Sequence, residues 1–164
     1  MRIYIFDIDN TLSDSYPSLV NKKNFFFLFR FFSESLRVIR LPFFEKMTLI
    51  AKNRIKRKNV NIFFLSARHY SLWIPTYLSL IIRLGFFHPK RLILVKETNL
   101  KINILKSIIS KNEKEKIRLI DDLSYNHENG EVKFYEKVIS FCKKNKHIIY
   151  FDKEIIDSIN LLND

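Results

Sequence analysis

The chain has 164 residues, the length of one domain, and its 47% hydrophobic and 28% charged content suits a chain that buries a core, unlike a disordered one. One cysteine, Cys142, excludes a disulfide scaffold or multi-cysteine zinc site, and only two glycines, Gly85 and Gly130, exclude Gly-rich dinucleotide and P-loop sites. The formal charge is +12, and residues 13–100 concentrate it, with sixteen Lys and Arg against only Asp14, Glu34, Glu45 and Glu97. An AT-rich coding sequence would enrich Lys and Phe but would not remove acids, so the asymmetry favours an anionic partner on one part of the surface.

In chain order, the N-terminus reaches Asp7 too soon for a secretory apolar region. No uncharged apolar run approaches the ~18 residues of a spanning helix, so the expectation is a soluble chain in a reducing, cytoplasmic compartment. Short apolar runs at 3–6, 60–65, 92–95, 117–120 and 147–151 read as buried parallel strands. Helical spacing marks 43–58, 71–84 (ending at Gly85 as C-cap), 101–110, 132–142 and 153–162. Alternating strands and helices predict an α/β, Rossmann-like three-layer α/β/α sandwich with a mainly parallel five-stranded sheet. Residues 1–12 and 43–164 form the core domain, and 13–42 read as a small helical insert. That insert carries Phe25-Phe26-Phe27-Leu28-Phe29-Arg30-Phe31-Phe32, and with Phe43 and Phe44 the region holds half of the chain's 16 Phe. The plain expectation is a helical subdomain packed on the core. The alternatives are an aromatic surface for bases, for lipid beside Arg30, Arg37 and Arg40, or for a second subunit in a homo-oligomer.

The acids at two strand tips carry the chemistry. The first strand opens into Asp7-Ile8-Asp9-Asn10-Thr11 and the fourth into Asp121-Asp122. In an open α/β sheet both tips face the ligand crevice. Carboxylates gathered there need a cation, and Mg²⁺ prefers carboxylate and water oxygens beside phosphate. The second strand ends Ser66-Ala67-Arg68, where a hydroxyl and a guanidinium fork suit phosphate oxygens, although a lone Ser after a strand is also a common cap. A cation facing the phosphoryl group comes from Lys96 or Lys101.

The order Asp7-x-Asp9-x-Thr11, Ser66, Lys and Asp121-Asp122, each after an apolar strand, resembles the haloacid dehalogenase superfamily of hydrolases over nearly the whole chain. The resemblance implies a Mg²⁺-dependent phosphatase. Asp7 would be the nucleophile forming an aspartyl-phosphate, and Asp9 the general acid/base. Ser66 would be the phosphate-binding hydroxyl, with Thr11 and Arg68 also on the substrate. Lys101, ahead of an amphipathic helix, is the better match for the family lysine. Mg²⁺ would be held by Asp7, the backbone carbonyl of Asp9, and Asp121 or Asp122; the insert would sit where the family places its first cap. Three departures stand out: Asn10 replaces the common Gly of the first motif, no Gly precedes Asp121, and Tyr125 replaces an acid four residues after Asp121, which leaves Asp122 to supply the second carboxylate.

An intact Asp9 favours hydrolysis of a phosphate monoester. With the basic, aromatic half of the chain, and a weak similarity of 66–78 to polynucleotide kinase-type phosphatases, the expected substrate is a nucleotide or polynucleotide phosphate. The alternatives are a small-metabolite phosphatase, such as one for a sugar phosphate, and a membrane-peripheral or binding protein with an idle site. His69, His88, His127 and His147 show no ligand spacing, and Trp73 with Tyr77 reads as packing.

Overall fold

A computed structural model describes residues 2–15, 27–125 and 130–161, the side chains of 27–30 and 161 excepted. Five strands form one parallel sheet: β1 (Arg2–Phe6), β2 (Val60–Ser66), β3 (Leu92–Leu94), β4 (Ile117–Ile120) and, after a hairpin, β7 (Ile148–Phe151), in the order β3-β2-β1-β4-β7. The runs are apolar on both faces because helices cover both. Tyr4, Phe6, Ile62 and Phe64 point to one core, shared with α2 (Glu45–Ile55), α3 (Trp73–Leu84) and α6 (Lys153–Leu161). Ile3, Ile5, Leu65 and Leu119 alternate to the other, shared with α4 (Lys101–Lys111) and α5 (Glu136–Lys144). The protein is therefore an α/β sandwich compatible with a Rossmann-like fold. No helix among the described residues is long and apolar enough to cross a membrane.

The strand order reverses direction at β1, with β2 and β3 on one side and β4 and β7 on the other. Ligand crevices form at that switch point, beyond the carboxyl ends of the strands. Phe6 is in register with both Ile120 and Phe64, so the residues that follow β1 and β4 emerge side by side.

Two differences from the sequence reading have local causes. The helix expected over 132–142 begins at Glu136, because Lys133–Phe134 (β6) pairs antiparallel with Ser124–Tyr125 (β5). Val132 and Phe134 keep a strand's spacing of two, whereas Val138 and Cys142 keep the helical spacing of four and are buried. The helix expected over 71–84 opens instead as a 3₁₀ turn, Tyr70–Leu72, before α3. It ends at Gly85 with φ 66°, the left-handed conformation that glycine adopts without a Cβ penalty. Within the insert, α1 (Phe27–Arg40) packs on α3. Phe25, Phe26, the side chains of Phe27, Phe29 and Arg30, and His127 lie outside the described residues.

The sheet's inner face rests on a stack of aromatic rings. Phe64 is fully buried and meets Phe86 edge-on at 4.6 Å and Phe6 at 6.1 Å. Phe64→Ala is expected to lower unfolding free energy by about 3–5 kcal/mol in urea titration, the range for truncating a buried aromatic; a loss under about 1 kcal/mol would mean the cavity is refilled.

Candidate functional site

Asp7 follows β1, and its backbone N–H donates to Ile120 O at 2.9 Å, which extends the ladder one residue past the strand. Asp121 and Asp122 follow β4. The result is that Asp7, Asp121 and Asp122, all buried, each bring a carboxylate oxygen within 4.8 Å of the other two. The turns that hold them depend on two residues outside the ordinary backbone regions. Asn10 has φ 58°, and Asn is one of the few residue types besides Gly that tolerate this conformation. Its side-chain oxygen accepts from the Ser15 hydroxyl at 2.6 Å. Leu123 has φ 46°, a strained value for a bulky residue; it is held by its N–H to Asp121 Oδ1 at 3.0 Å and by its carbonyl, which accepts from Tyr135 N at 2.9 Å.

One ammonium enters this cluster. Lys101, at the first residue of α4, is 3% exposed, and its Nζ donates to Asp7 Oδ1 at 2.9 Å and Asp121 Oδ2 at 2.7 Å. Lys96, the other lysine considered, is exposed. Burial works against the charge on Lys101, but Asp121 and Asp7 outweigh it and hold the ammonium protonated well above its ordinary range. The converse does not hold. Burial, then Asp121, Asp9 and Asp122, push the Asp7 carboxyl well above the usual carboxylate value despite Lys101. Asp122 is pushed up to about 7 by burial and by Asp121, although the Ser124 hydroxyl hydrogen-bonds it. Three buried carboxylates thus face a single monovalent cation, and the deficit suits a divalent one. Oxygen donors this close could hold a divalent cation through Asp7, Asp121 and Asp122.

Asp9 is held apart from the cluster. Arg68 grips it with both arms of its fork, Nε to Oδ2 and Nη2 to Oδ1, each at 2.7 Å. The guanidinium is itself buried and braced by donating to the Thr76 hydroxyl at 3.3 Å and the Ser13 hydroxyl at 3.4 Å. Ser66 donates its hydroxyl to Asp9 Oδ2 at 3.3 Å. Burial raises the Asp9 carboxyl, but the charge and hydrogen bonds of Arg68 more than offset this and hold it below the usual range. Its side chain is nevertheless 32% exposed, so one side remains open to an incoming group.

The structure brings Asp7, Asp9, Ser66, Lys101, Asp121 and Asp122 around one cavity of about 110 Å³. Arg68 and Thr11 are not in its lining. Arg68 is turned onto Asp9, and the buried Thr11 hydroxyl accepts from Asp122 N at 3.2 Å, fixing the β4 tip against the first loop. Thr98, Ser124 and Tyr135 join the lining and were not anticipated. Thr98 and Ser124 carry no sequence signal beyond a hydroxyl near a strand end, and Tyr135 arrives only through the β5–β6 hairpin. Trp73 and Tyr77 stack at 5.1 Å, and the Trp73 indole N–H donates to Leu92 O at 3.3 Å, a packing role. His69 is exposed and its Nδ1 is hydrogen-bonded with the Ser71 hydroxyl at 2.8 Å.

No protein-family model and no curated protein matches this chain.

A carboxyl group whose value is raised by folding is harder to ionise in the folded chain, so its charge at neutral pH opposes folding. Asp122→Asn is therefore expected to raise the thermal unfolding midpoint in EDTA by roughly 2–4 °C, the equivalent of about 1 kcal/mol for a chain of this size. Added MgCl₂ is expected to stabilise the wild type more than the variant. A midpoint lowered in EDTA would mean that Lys101 alone satisfies the three acids.

Proposed function

We propose that this chain is a Mg²⁺-dependent phosphatase of the haloacid dehalogenase type, hydrolysing a phosphate monoester through an aspartyl-phosphate on Asp7. The observation that carries the reading is the Asp7–Lys101–Asp121 bridge at the switch point, with a third carboxylate, Asp122, beside it and Asp9 across the same small cavity. The residues present fit the cation: Asp7, Asp121, Asp122 and the backbone carbonyl of Asp9 would hold Mg²⁺. When bound it would neutralise the carboxylate excess and the charge on the phosphoryl oxygens.

Lys101 occupies Asp7 Oδ1, which leaves Oδ2 as the attacking atom. The Oδ2–phosphorus bond forms as the bond from phosphorus to the leaving oxygen breaks, and that oxygen takes a proton from Asp9. Water then attacks phosphorus, gives its proton to Asp9 and releases phosphate from Asp7. Asp9 paired with Arg68 is an anion, the form that accepts the proton from water. Donating one in the first half requires the pair to open, and the phosphate itself is the competing ligand for the guanidinium. The Ser66 hydroxyl, at the cavity wall, would bind a phosphoryl oxygen.

The size of the cavity favours a small phosphomonoester over a polynucleotide end. Among the described residues, Lys101 is the one cation in its lining and it is already shared between two acids. The larger cavity that adjoins it at Asp122, about 380 Å³, is lined by Glu136, Asp152, Glu154 and Asp157 against Lys143 and Lys153. A strand of phosphates gains nothing from such walls.

With p-nitrophenyl phosphate as substrate, Asp7→Asn is expected to lower turnover at least about 10³-fold and Asp9→Asn about 10²–10⁴-fold, both with unchanged circular dichroism. EDTA is expected to stop the wild type and Mg²⁺ to restore it. Turnover that survives Asp7→Asn, or that ignores EDTA, would overturn the reading.

A further inference from the structure

The two ends of the sheet differ in charge. At the carboxyl ends of the strands stand Asp7, Asp9, Asp121 and Asp122. At the amino ends, two adjoining concavities of about 280 and 490 Å³ share Arg57, Lys58 and Val60 in their walls. Their charged lining consists of Arg2, Lys56, Arg57, Lys58 and Arg91, with His88, and neither is lined by a carboxylate. Arg2 opens β1, Lys56, Arg57 and Lys58 form the loop into β2, and His88 and Arg91 come from the loop into β3, so three separate segments converge. Among the described residues none of these five cations is ion-paired.

Helix dipoles do not account for the cluster. The carbonyl ends of α2 and α3 point this way, but each helix already has cations in its last turn, Lys52 and Arg54 in α2 and Arg83 in α3. Lys56 caps α2, but Arg2, Arg57, Lys58 and Arg91 lie beyond those last turns, where the dipole's influence has fallen off. Like charges lining shared concavities repel one another, and an anion spanning them relieves that repulsion. The same β3 loop carries Phe87, 68% exposed between Phe86 and His88, both of which line the first concavity. A bare aromatic ring beside a concave row of cations is the pairing that single-stranded nucleic acid uses, phosphates on the cations and a base on the ring. A lipid surface would ask instead for a flat or protruding face.

We infer that the amino-terminal end of the sheet, formed by Arg2, Lys56, Arg57, Lys58, Arg91 and Phe87, is a docking surface for single-stranded nucleic acid. It is separate from the catalytic cavity: Arg2 and Asp7 are five residue steps apart along β1, about 16 Å along an extended strand. A strand held here does not feed its own phosphates to Asp7. It tethers the protein and leaves the cavity open, so the inference does not depend on the catalytic reading.

The test is fluorescence anisotropy of a labelled oligothymidylate titrated with the full chain over a series of KCl concentrations. The oligonucleotide is expected to bind with an affinity that falls linearly with salt on logarithmic axes. Arg57→Glu/Lys58→Glu/Arg91→Glu is expected to weaken it at least about tenfold and flatten the salt slope. Phe87→Ala is expected to weaken it roughly fivefold or more with the slope unchanged. Arg57→Gln/Lys58→Gln, checked by circular dichroism, gives a milder second measurement should the triple variant misfold. Affinities unmoved by these changes, stronger binding to a duplex of equal length, or stronger binding to phosphatidylserine vesicles would overturn the inference. Turnover of p-nitrophenyl phosphate is expected to be unaffected in all of these variants. Wild-type protein that turns over p-nitrophenyl phosphate but does not bind the oligonucleotide would therefore sink this inference alone, and binding without turnover would leave it standing while the catalytic reading fell.

Discussion

Buried carboxylates repel one another, and the architecture of this protein is organised around making three of them meet. Two strands in parallel register end at the same level, and each continues directly into an aspartate. Lys101 reaches them from the start of α4, which follows β3 at the edge of the sheet, so three elements, β1, α4 and β4, fix a single ion bridge between residues 7, 101 and 121. Removing one partner from such a buried pair leaves an uncompensated charge, at a cost of about 3–5 kcal/mol. The surrounding turns absorb further strain: Asn10 and Leu123 both sit at positive φ to aim the acids inward. Stability alone does not explain an arrangement in which Asp7 and Asp122 resist ionisation. A divalent cation among the three carboxylates, as proposed, would relieve that cost.

The Arg68–Asp9 pair shows how the same crevice separates two kinds of carboxylate. Asp7 faces Lys101 but is crowded by other acids, whereas Asp9, two residues on, is held as an anion by a bidentate fork. The difference arises from chain direction. Asp7 still belongs to the β1 ladder and points toward β4, while Asp9 lies in the turn and points toward the β2 tip, where Arg68 and Ser66 emerge. Environments that push neighbouring carboxyl groups in opposite directions mark acid/base sites in many enzymes.

The parts of the fold that were legible in the sequence are those set by local pattern. Apolar runs at 3–6 and 117–120 could be buried strands and little else, and the acids after them followed from the rule that crevices form at strand ends. Gly85 marked its helix end because no other residue type takes φ 66° as readily. The β5–β6 hairpin was not legible: each of its strands has two residues, too few for alternation to register, and the apolar spacing of Val132 through Cys142 satisfies a helix about as well. Arg68 was legible as a cation beyond the β2 tip but not as the partner of Asp9, since that pairing spans 59 positions and depends on how far β2 extends. In the same way, nothing in the spacing of Lys101 distinguished it from Lys96 except the helix it opens; burial at 3% is a tertiary outcome.

Net charge gave only a coarse guide: the +12 excess, concentrated in residues 13–100, favoured an anionic partner on one part of the surface without placing that part. A parallel sheet, however, sorts residues by which end of a strand they flank, not by sequence position. Residues just before a strand and residues just after it end up on opposite sides of the molecule, even when few positions separate them. Arg2 and Asp7 illustrate this within one strand, and Lys58 and Ser66 within the next. Cations placed before β1, β2 and β3 accumulate at one pole, and acids placed after β1 and β4 at the other. The acidic cluster and the basic concavities therefore share no lining residue, and the two proposed roles, phosphate hydrolysis and nucleic-acid docking, do not compete for the same side chains.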